Sequence, residues 1–346
     1  MERVARDDPA LLAVEDLHVE FATYGGTVKA VRGVSFNVRA GKTLAIVGES
    51  GCGKSVSVHS IMGLIPMPPG RITRGRALLE GVDIIGRKTI DGADIRGSKV
   101  GMIFQDPMTS LNPTMTIGDQ IAETLQVHRG FARAQALNRA IELLEMVRIP
   151  DGSQRVRQYP FQFSGGMLQR AMIAMAIACG PSLLIADEPT TALDVTIQAQ
   201  ILDMMRDLQR HSGMAIILIT HDLGVVARMA DDVVVMYAGE IVEKGTADDV
   251  FYRASHPYTL GLKEAMPSNV VDANRRLRPI DGSPPDLFAP PAGCGYFARC
   301  PHAMRVCEAH HPDRFEIESH HYANCWLHHP IAGAAAAGVF GQGRAS

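Results

Sequence analysis

Gly48-Glu49-Ser50-Gly51-Cys52-Gly53-Lys54-Ser55 is the stretch that decides the fold. It follows the apolar run Leu44 to Val47, which reads as a buried strand, and leads into Ser55 to Leu64, which reads as a helix. A G-x-x-x-x-G-K-S pattern between a strand and a helix builds a cradle for phosphates. Its glycines let successive backbone N–H groups converge, and the helix N-terminus adds partial positive charge. Lys54 is placed to reach the β- and γ-phosphates of a nucleoside triphosphate, and the Ser55 hydroxyl to bind Mg²⁺. Cys52 fills a free position of the loop and Val56 carries it into the helix. The candidate phosphate contacts are therefore Gly48, Ser50, Gly51, Cys52, Gly53, Lys54, Ser55 and Val56.

Downstream, Leu183-Leu184-Ile185-Ala186-Asp187-Glu188 is an apolar strand that ends in two acids. Acids at the C-terminal end of a buried strand stand where ligands bind in open α/β sheets. Asp187 is placed to hold Mg²⁺, directly or through water, and Glu188 to polarise an attacking water. Further buried strands are expected at Val100 to Phe104, Ser182 to Ala186 and Ala215 to Thr220. Alternating strands are expected around Leu17, Val19 and Phe21 and around Val34, Phe36 and Val38. Continuous apolar strands mixed with helices indicate a sheet covered on both faces, hence an α/β fold of the P-loop NTPase type. Residues of about 106–180 read as mostly helical, with Ile141, Leu144 and Val147 on one face and a buried helix from Met167 to Ala178, which predicts an inserted helical subdomain. Ile197, Ile201, Met205 and Leu208 mark one more amphipathic helix.

Bulk composition narrows the class. The chain has 346 residues, 46% apolar and 21% charged, which suits a packed globular core. A net charge of −3 without clustered Lys and Arg argues against nucleic-acid binding. The charged start Met1 to Pro9 is unlike a signal peptide. The longest apolar run, Ala171 to Gly180, is about half of the ~20 residues that a membrane-spanning helix needs. The expectation is a soluble chain that docks on a membrane protein rather than spanning the bilayer.

Four of the six cysteines, Cys294, Cys300, Cys307 and Cys325, fall near the C-terminal end, after a Pro-rich stretch that includes Pro279, Pro284, Pro285, Pro290 and Pro291. In a chain without a secretion signal this reads as a metal site before disulfides. The spacings lack the Cys-x₂₋₄-Cys pair usual for zinc, whereas iron–sulfur clusters accept varied spacing. Zinc remains the alternative because His302, His310, His311, His320, His321, His328 and His329 lie nearby.

Phe163-Ser164-Gly165-Gly166-Met167-Leu168-Gln169-Arg170 precedes a helix that Ser164 can cap, and its glycines expose amides for a second anion site. Phosphate loop, Gln105, Ser164-Gly165-Gly166, Asp187-Glu188, Leu193-Asp194 and His221 follow one another in an order and spacing that resemble ABC ATPases. The resemblance implies that Ser164, Gly165 and Gly166 contact the γ-phosphate of ATP held by a second subunit. It implies that Gln105 links nucleotide and Mg²⁺ to a membrane subunit, that Asp194 lies at the dimer interface, and that Glu188 and His221 serve hydrolysis. An aromatic residue is expected to stack on adenine; Phe21 is the first choice and Tyr24 the next. One departure is Met167, where the family carries Gln, which removes an expected ribose hydrogen bond.

Met102-Ile103-Phe104-Gln105-Asp106-Pro107-Met108-Thr109-Ser110-Leu111-Asn112-Pro113 narrows the resemblance to the oligopeptide and dipeptide importer ATPases, as do Ala186 to Gln200, Ile219 to Val226 and His256-Pro257-Tyr258-Thr259. The D-type subunit of that branch pairs with an F-type ATPase on two membrane permeases fed by a solute-binding protein, at the cytoplasmic face of the inner membrane. Its C-terminal cysteine motif implies a 4Fe-4S cluster on Cys294, Cys300, Cys307 and Cys325. The expected organisation is an ABC ATPase domain over 11–262, a C-terminal region over 263–330 that reads as a separate small Cys-rich appendage with little regular structure, and a disordered tail over 331–346. Nickel or glutathione importers use similar chains. A soluble ABC protein of DNA repair or translation, and a redox or metal-sensing module built on the cysteines, are the competing readings; one phosphate loop and no heptad run speak against the former.

Overall fold

A computed structural model describes residues 10–85, 95–191, 193–265, 279–333, 336 and 339–340. In chain order the elements begin with β1 (Ala10–Thr23), β2 (Gly26–Arg39), β3 (Thr43–Val47), α1 (Lys54–Ile61), β4 (Gly70–Leu79) and β5 (Val82–Asp83). They continue with β6 (Val100–Ile103), α2 (Pro107–Ser110), α3 (Ile117–Arg129), α4 (Arg133–Met146), α5 (Gly152–Arg155), α6 (Gly165–Ile177), β7 (Leu183–Asp187) and α7 (Val195–Ser212). The rest are β8 (Ala215–Thr220), α8 (Leu223–Met229), β9 (Asp232–Tyr237), β10 (Glu240–Thr246), α9 (Ala247–Tyr252), α10 (Pro257–Glu264), α11 (Arg305–Ala309), β11 (Phe315–Glu318) and β12 (His321–Ala323). None of the described helices is long and apolar enough to cross a membrane.

The chain divides into two compact units. The first consists of Met1–Leu11, Val38–Thr43 and Gly86–Ile219. Within it β6, β7 and β8 run parallel, with Val100 opposite Leu183 and Asp187 opposite Ile219. Every residue of β7 is buried, as an apolar strand covered on both faces must be. Helices α3, α4 and α6 pack on one another. Thr116 caps α3 by accepting from the Asp119 N–H, and Gly130 ends it in a left-handed conformation. Helix α7 buries Ile201 and Met205 and half-buries Ile197 and Leu208, the stripe expected from the spacing.

The second unit consists of Leu12–Asn37, Leu44–Ile85 and Thr220–Ser346. An antiparallel sheet in the order β2-β1-β4-β5 buries Leu17, Val19, Val34 and Phe36. A second group of strands has β3 parallel to β9, with Leu44 opposite Asp232 and Val47 opposite Val235, and β10 antiparallel to β9. The cysteine-bearing segment, expected to be a separate appendage with little regular structure, instead extends this group. β12 pairs with β10, placing Ala323 opposite Glu243, and β11 pairs with β12. Tyr296, Cys294 and Cys300 pack on the core of Tyr237, Tyr258, Val235 and Val250. A short run such as His321–Ala323 has too little periodicity to announce a strand, and its partner lies far away in sequence. Of the tail expected to be disordered, Phe340 stacks on His328 at 4.8 Å between ring centroids, and residues 334–335, 337–338 and 341–346 lie outside the described residues.

Glu243 holds this unit together from inside β10. Its buried carboxylate accepts from the Ser255 N–H at 2.7 Å, from the His256 N–H at 3.0 Å and meets His321 Nε2 at 2.9 Å. Removing one member of such a buried set leaves its partners unsatisfied. Glu243→Ala is expected to destabilise the full chain by about 3 kcal/mol. A denaturant-unfolding midpoint equal to that of the unaltered chain would refute this.

Candidate functional site

The phosphate loop lies in the second unit, between β3 and α1. Gly48 has φ +152° and Gly53, the N-cap of α1, has φ +101°. A Cβ at Gly48 would lie 2.2 Å from the Met236 carbonyl oxygen and 2.8 Å from Cys52 Sγ, so the loop is pressed against the end of β9. Lys54 is buried, and its Nζ donates to the carbonyls of Gly48 at 2.7 Å and Glu49 at 2.8 Å, which lays the ammonium across the loop. Ser55 and Val56 are half-buried in the first turn of α1, and Gly51 is exposed. Cys52 is buried, and burial pushes its thiol above the usual range; its carbonyl accepts from the Gly239 N–H at 3.0 Å. Its thiol lies within the loop, 3.9 Å from the Lys54 ammonium, in keeping with a small filler.

Glu49 is tied in every direction. Its N–H donates to the Tyr258 hydroxyl at 2.9 Å. Its carboxylate accepts a two-pronged bond from Arg299, Nη1 to Oε2 at 2.7 Å and Nη2 to Oε1 at 3.0 Å. Sequence reasoning missed both partners, because they lie 209 and 250 residues away.

His221, also in the second unit, is exposed immediately after β8. Phe21 is half-buried, with its ring against Gly70, whereas Tyr24 is fully exposed in the turn between β1 and β2. Phe288, which the sequence reading did not single out, lays its ring beside the same turn, within 3.7 Å of where a Cβ on Gly25 would be.

The first unit carries the remaining candidates. Asp187 ends β7 at 5% exposure, so it stays at the buried end of the strand instead of emerging fully. Glu188 follows with φ +48°, a left-handed conformation that a non-glycine residue adopts only where the surroundings enforce it. Its N–H donates to the Ile219 carbonyl at 2.9 Å. Its Oε2 accepts from Gln105 Nε2 at 3.1 Å and from the Thr191 hydroxyl at 3.0 Å. The structure thus brings Gln105 and Glu188 together.

Ser164 is the N-cap of α6, but its side chain makes no capping hydrogen bond, contrary to the sequence expectation. The hydroxyl is exposed, and Gly165 and Gly166 open the helix behind it. Positions 165 and 166 face the start of α7: a Cβ on Gly165 would be 3.9 Å from Leu193, and one on Gly166 would be 3.0 Å from Ile197. Asp194, the N-cap of α7, is exposed. Arg170 of α6 reaches the same helix, donating to Gln200 at 3.0 Å.

Cys294, Cys300, Cys307 and Cys325 line one small pocket of the second unit with His256, Tyr296 and Trp326 among its walls. All four thiols are free. The chain turns tightly after three of them: the carbonyls of Cys294, Cys300 and Cys325 accept from the N–H three residues on. Gly293 allows the close approach of Cys294 to Cys307, since a Cβ there would lie 2.2 Å from the Cys307 carbonyl oxygen. Burial pushes the Cys294 and Cys300 thiols up to about 11 and Cys325 up to about 12. Burial also pushes His256 down to about 3, so it lines the pocket as neutral imidazole. Among the described residues no group of three or more His, Cys, Asp or Glu side chains converges closely enough to hold a single metal ion. Three of the seven neighbouring histidines have hydrogen-bond partners elsewhere. His311 pairs with Glu240, His321 with Glu243, and His328 with the Ser255 carbonyl.

Residues 31–191 match the ABC transporter family, and residues 242–307 match the oligopeptide/dipeptide transporter C-terminal region. The chain is 54% identical to the dipeptide transport ATP-binding protein DppD of Bacillus subtilis over 318 residues, 92% of this chain and 94% of that one. It is 54% identical to the oligopeptide transport ATP-binding protein OppD of the same organism over 332 residues, 96% of this chain and 92% of that one. Among solved structures, the dimeric ATP-binding cassette MJ0796 bound to ADP and Pi is similar with a TM-score of 0.61 and 25% identity, over 68% of this chain and 98% of that chain. The chain belongs to the ABC transporter family, as an ATP-binding subunit of its oligopeptide/dipeptide branch.

Proposed function

We propose that this chain hydrolyses ATP to power the import of di- or oligopeptides through separate membrane permeases. The observation that carries this reading is a strand, phosphate loop and helix on a chain 54% identical, over nine-tenths of its length, to a protein named for dipeptide transport. The chain would sit on the cytoplasmic face of the inner membrane, on two permeases, beside an F-type ATPase and fed indirectly by a solute-binding protein. Its organisation would be an ATPase domain over 11–262, with a helical subdomain inside 106–180, and a C-terminal region over 263–330. The helices α3, α4 and α6 support the subdomain. Nickel or glutathione transport would use the same residues, since the ATPase never touches cargo.

The roles follow from what each group offers. The loop amides of residues 48–56 and Lys54 would bind the phosphates, and Ser55, Gln105 and Asp187 would serve Mg²⁺. Glu188, held by Gln105 and Thr191, would orient and deprotonate the attacking water, and His221 would meet the γ-phosphate. The exposed Ser164 hydroxyl and the amides of Gly165 and Gly166 would receive the phosphate of ATP held by the partner ATPase, with Asp194 at the same interface. Tyr24 presents an open ring for adenine and Phe21 a half-buried one, which favours Tyr24.

Cys294, Cys300, Cys307 and Cys325 would hold a 4Fe-4S cluster, to which each thiolate binds through its own iron. The pocket that the four thiols share supports this reading, and the missing Cys-x₂₋₄-Cys pair disfavours zinc. When bound, the cluster would supply structural cross-linking, not redox chemistry on ATP.

Two measurements test the assignment. Glu188→Gln is expected to keep ATP binding and to lose phosphate release by the assembled transporter roughly 10²–10⁴-fold, the contribution of a general base; an unchanged rate at this chain's site would overturn the role of Glu188. Anaerobically purified chain is expected to be brown, with broad visible absorption lost on replacing any of the four clustered cysteines and kept on replacing Cys179. Colourless protein with one zinc per chain would exclude the cluster.

A further inference from the structure

An acidic side chain at the second position of an anion-binding loop needs an explanation. ATP brings several negative charges to this loop, and Glu49 places another among them. A carboxylate a few ångströms from phosphate opposes binding strongly where water is partly excluded. The structure shows how that charge is met. Arg299 is 6% exposed and grips the Glu49 carboxylate with both terminal nitrogens at 2.7 and 3.0 Å. The fork-to-fork geometry is the strongest form of such a bond and fixes direction as well as charge.

The guanidinium itself is fixed by the C-terminal segment. Its Nε donates to the Asp281 carbonyl at 2.9 Å, and Nη2 donates to the Ile280 carbonyl at 3.1 Å. Nη1 also reaches the Tyr237 hydroxyl at 3.3 Å. Independently, the fully buried Tyr258 accepts the Glu49 N–H at 2.9 Å, from within a cluster where its ring lies 4.6 Å from Tyr237 and 5.3 Å from Tyr296. Lys54 takes the Glu49 carbonyl. Each polar group of Glu49 thus has a partner within this unit.

We propose that Arg299 and Tyr258 are positioning residues of the phosphate loop, which cancel the charge of Glu49 and fix its main chain so that the loop accepts ATP. The C-terminal segment then sets nucleotide affinity from outside the loop. The proposal rests on the reading of residues 48–55 as the phosphate cradle, and Lys54→Ala tests that reading separately.

The experiment titrates the full chain with a non-hydrolysable fluorescent ATP analogue in the presence of Mg²⁺. Arg299→Ala, and Arg299→Gln as a variant that keeps length, are expected to weaken binding about tenfold or more. Tyr258→Phe is expected to weaken it a few-fold, by loss of one hydrogen bond. The deciding arm is the double variant Glu49→Gln with Arg299→Gln. With no charge left to cancel, it is expected to recover to within about threefold of the unaltered chain, a coupling that independent sites do not show. A purely structural Arg299 would give a double variant at least as weak as the single one, and that result overturns the proposal. Unaltered affinity in Arg299→Gln overturns it too. If Lys54→Ala binds normally, the cradle reading fails instead.

Discussion

Gly48 has no room for a side chain, and the shape of the phosphate loop follows from that. The parallel register of β3 on β9 carries the end of β3 up to the Met236 carbonyl, where a Cβ on residue 48 would intrude to 2.2 Å. A loop pressed this closely onto a strand end cannot fold back over its own amides. The Gly239 N–H bonds to the Cys52 carbonyl, and Cys52 fills the space beneath the loop. Lys54 lies across the loop with its Nζ on the Gly48 and Glu49 carbonyls. Convergent amides at a helix start attract anions only when they are held in place before the ligand arrives. Here the sheet does the holding.

The same unit extends that rigidity through carboxylates that accept bonds from far along the chain. Glu243 collects donors from the start of α10 and from β12, and Glu49 collects Arg299 and Tyr258. Three tyrosines, Tyr237, Tyr258 and Tyr296, meet in tilted or edge-on pairs 4.6 to 5.3 Å apart, the arrangement that aromatic quadrupoles favour. One comes from β9, one from α10 and one from the cysteine-bearing segment. The C-terminal segment therefore shares a core with the strand that shapes the phosphate loop. Arg299 is followed directly by Cys300, a wall of the thiol pocket. Whatever orders the four cysteines is thereby one residue from the guanidinium that neutralises Glu49.

What the sequence could disclose was local. The Leu44–Val47 run, the glycine spacing after it and the acids after Ala186 each specify their own conformation within a few residues, and each lies in the expected element. The boundaries shift by a residue or two because helix α1 starts at Lys54 and β7 takes in Asp187. What stayed hidden depends on pairing across long separations. Nothing in Arg299 or its neighbours marks Glu49 as its partner, and three residues at His321–Ala323 form a strand only because β10 offers an edge. Ser164 shows a further limit. Its residue type and position promise a side-chain cap, yet the hydroxyl does not make that bond.

That uncapped serine bears on how the chain works. A helix of the length of α6 presents unpaired N–H groups and about half a positive charge at its start, and these groups need an acceptor. A serine at the N-cap ordinarily supplies one. Here the hydroxyl stays exposed beside two glycines that leave the amides open, with Leu193 and Ile197 of the α7 region at their backs. Capping the helix internally would stabilise it and block it in one step. Leaving the cap undone sacrifices some helix stability and leaves the first amides of α6 without that acceptor.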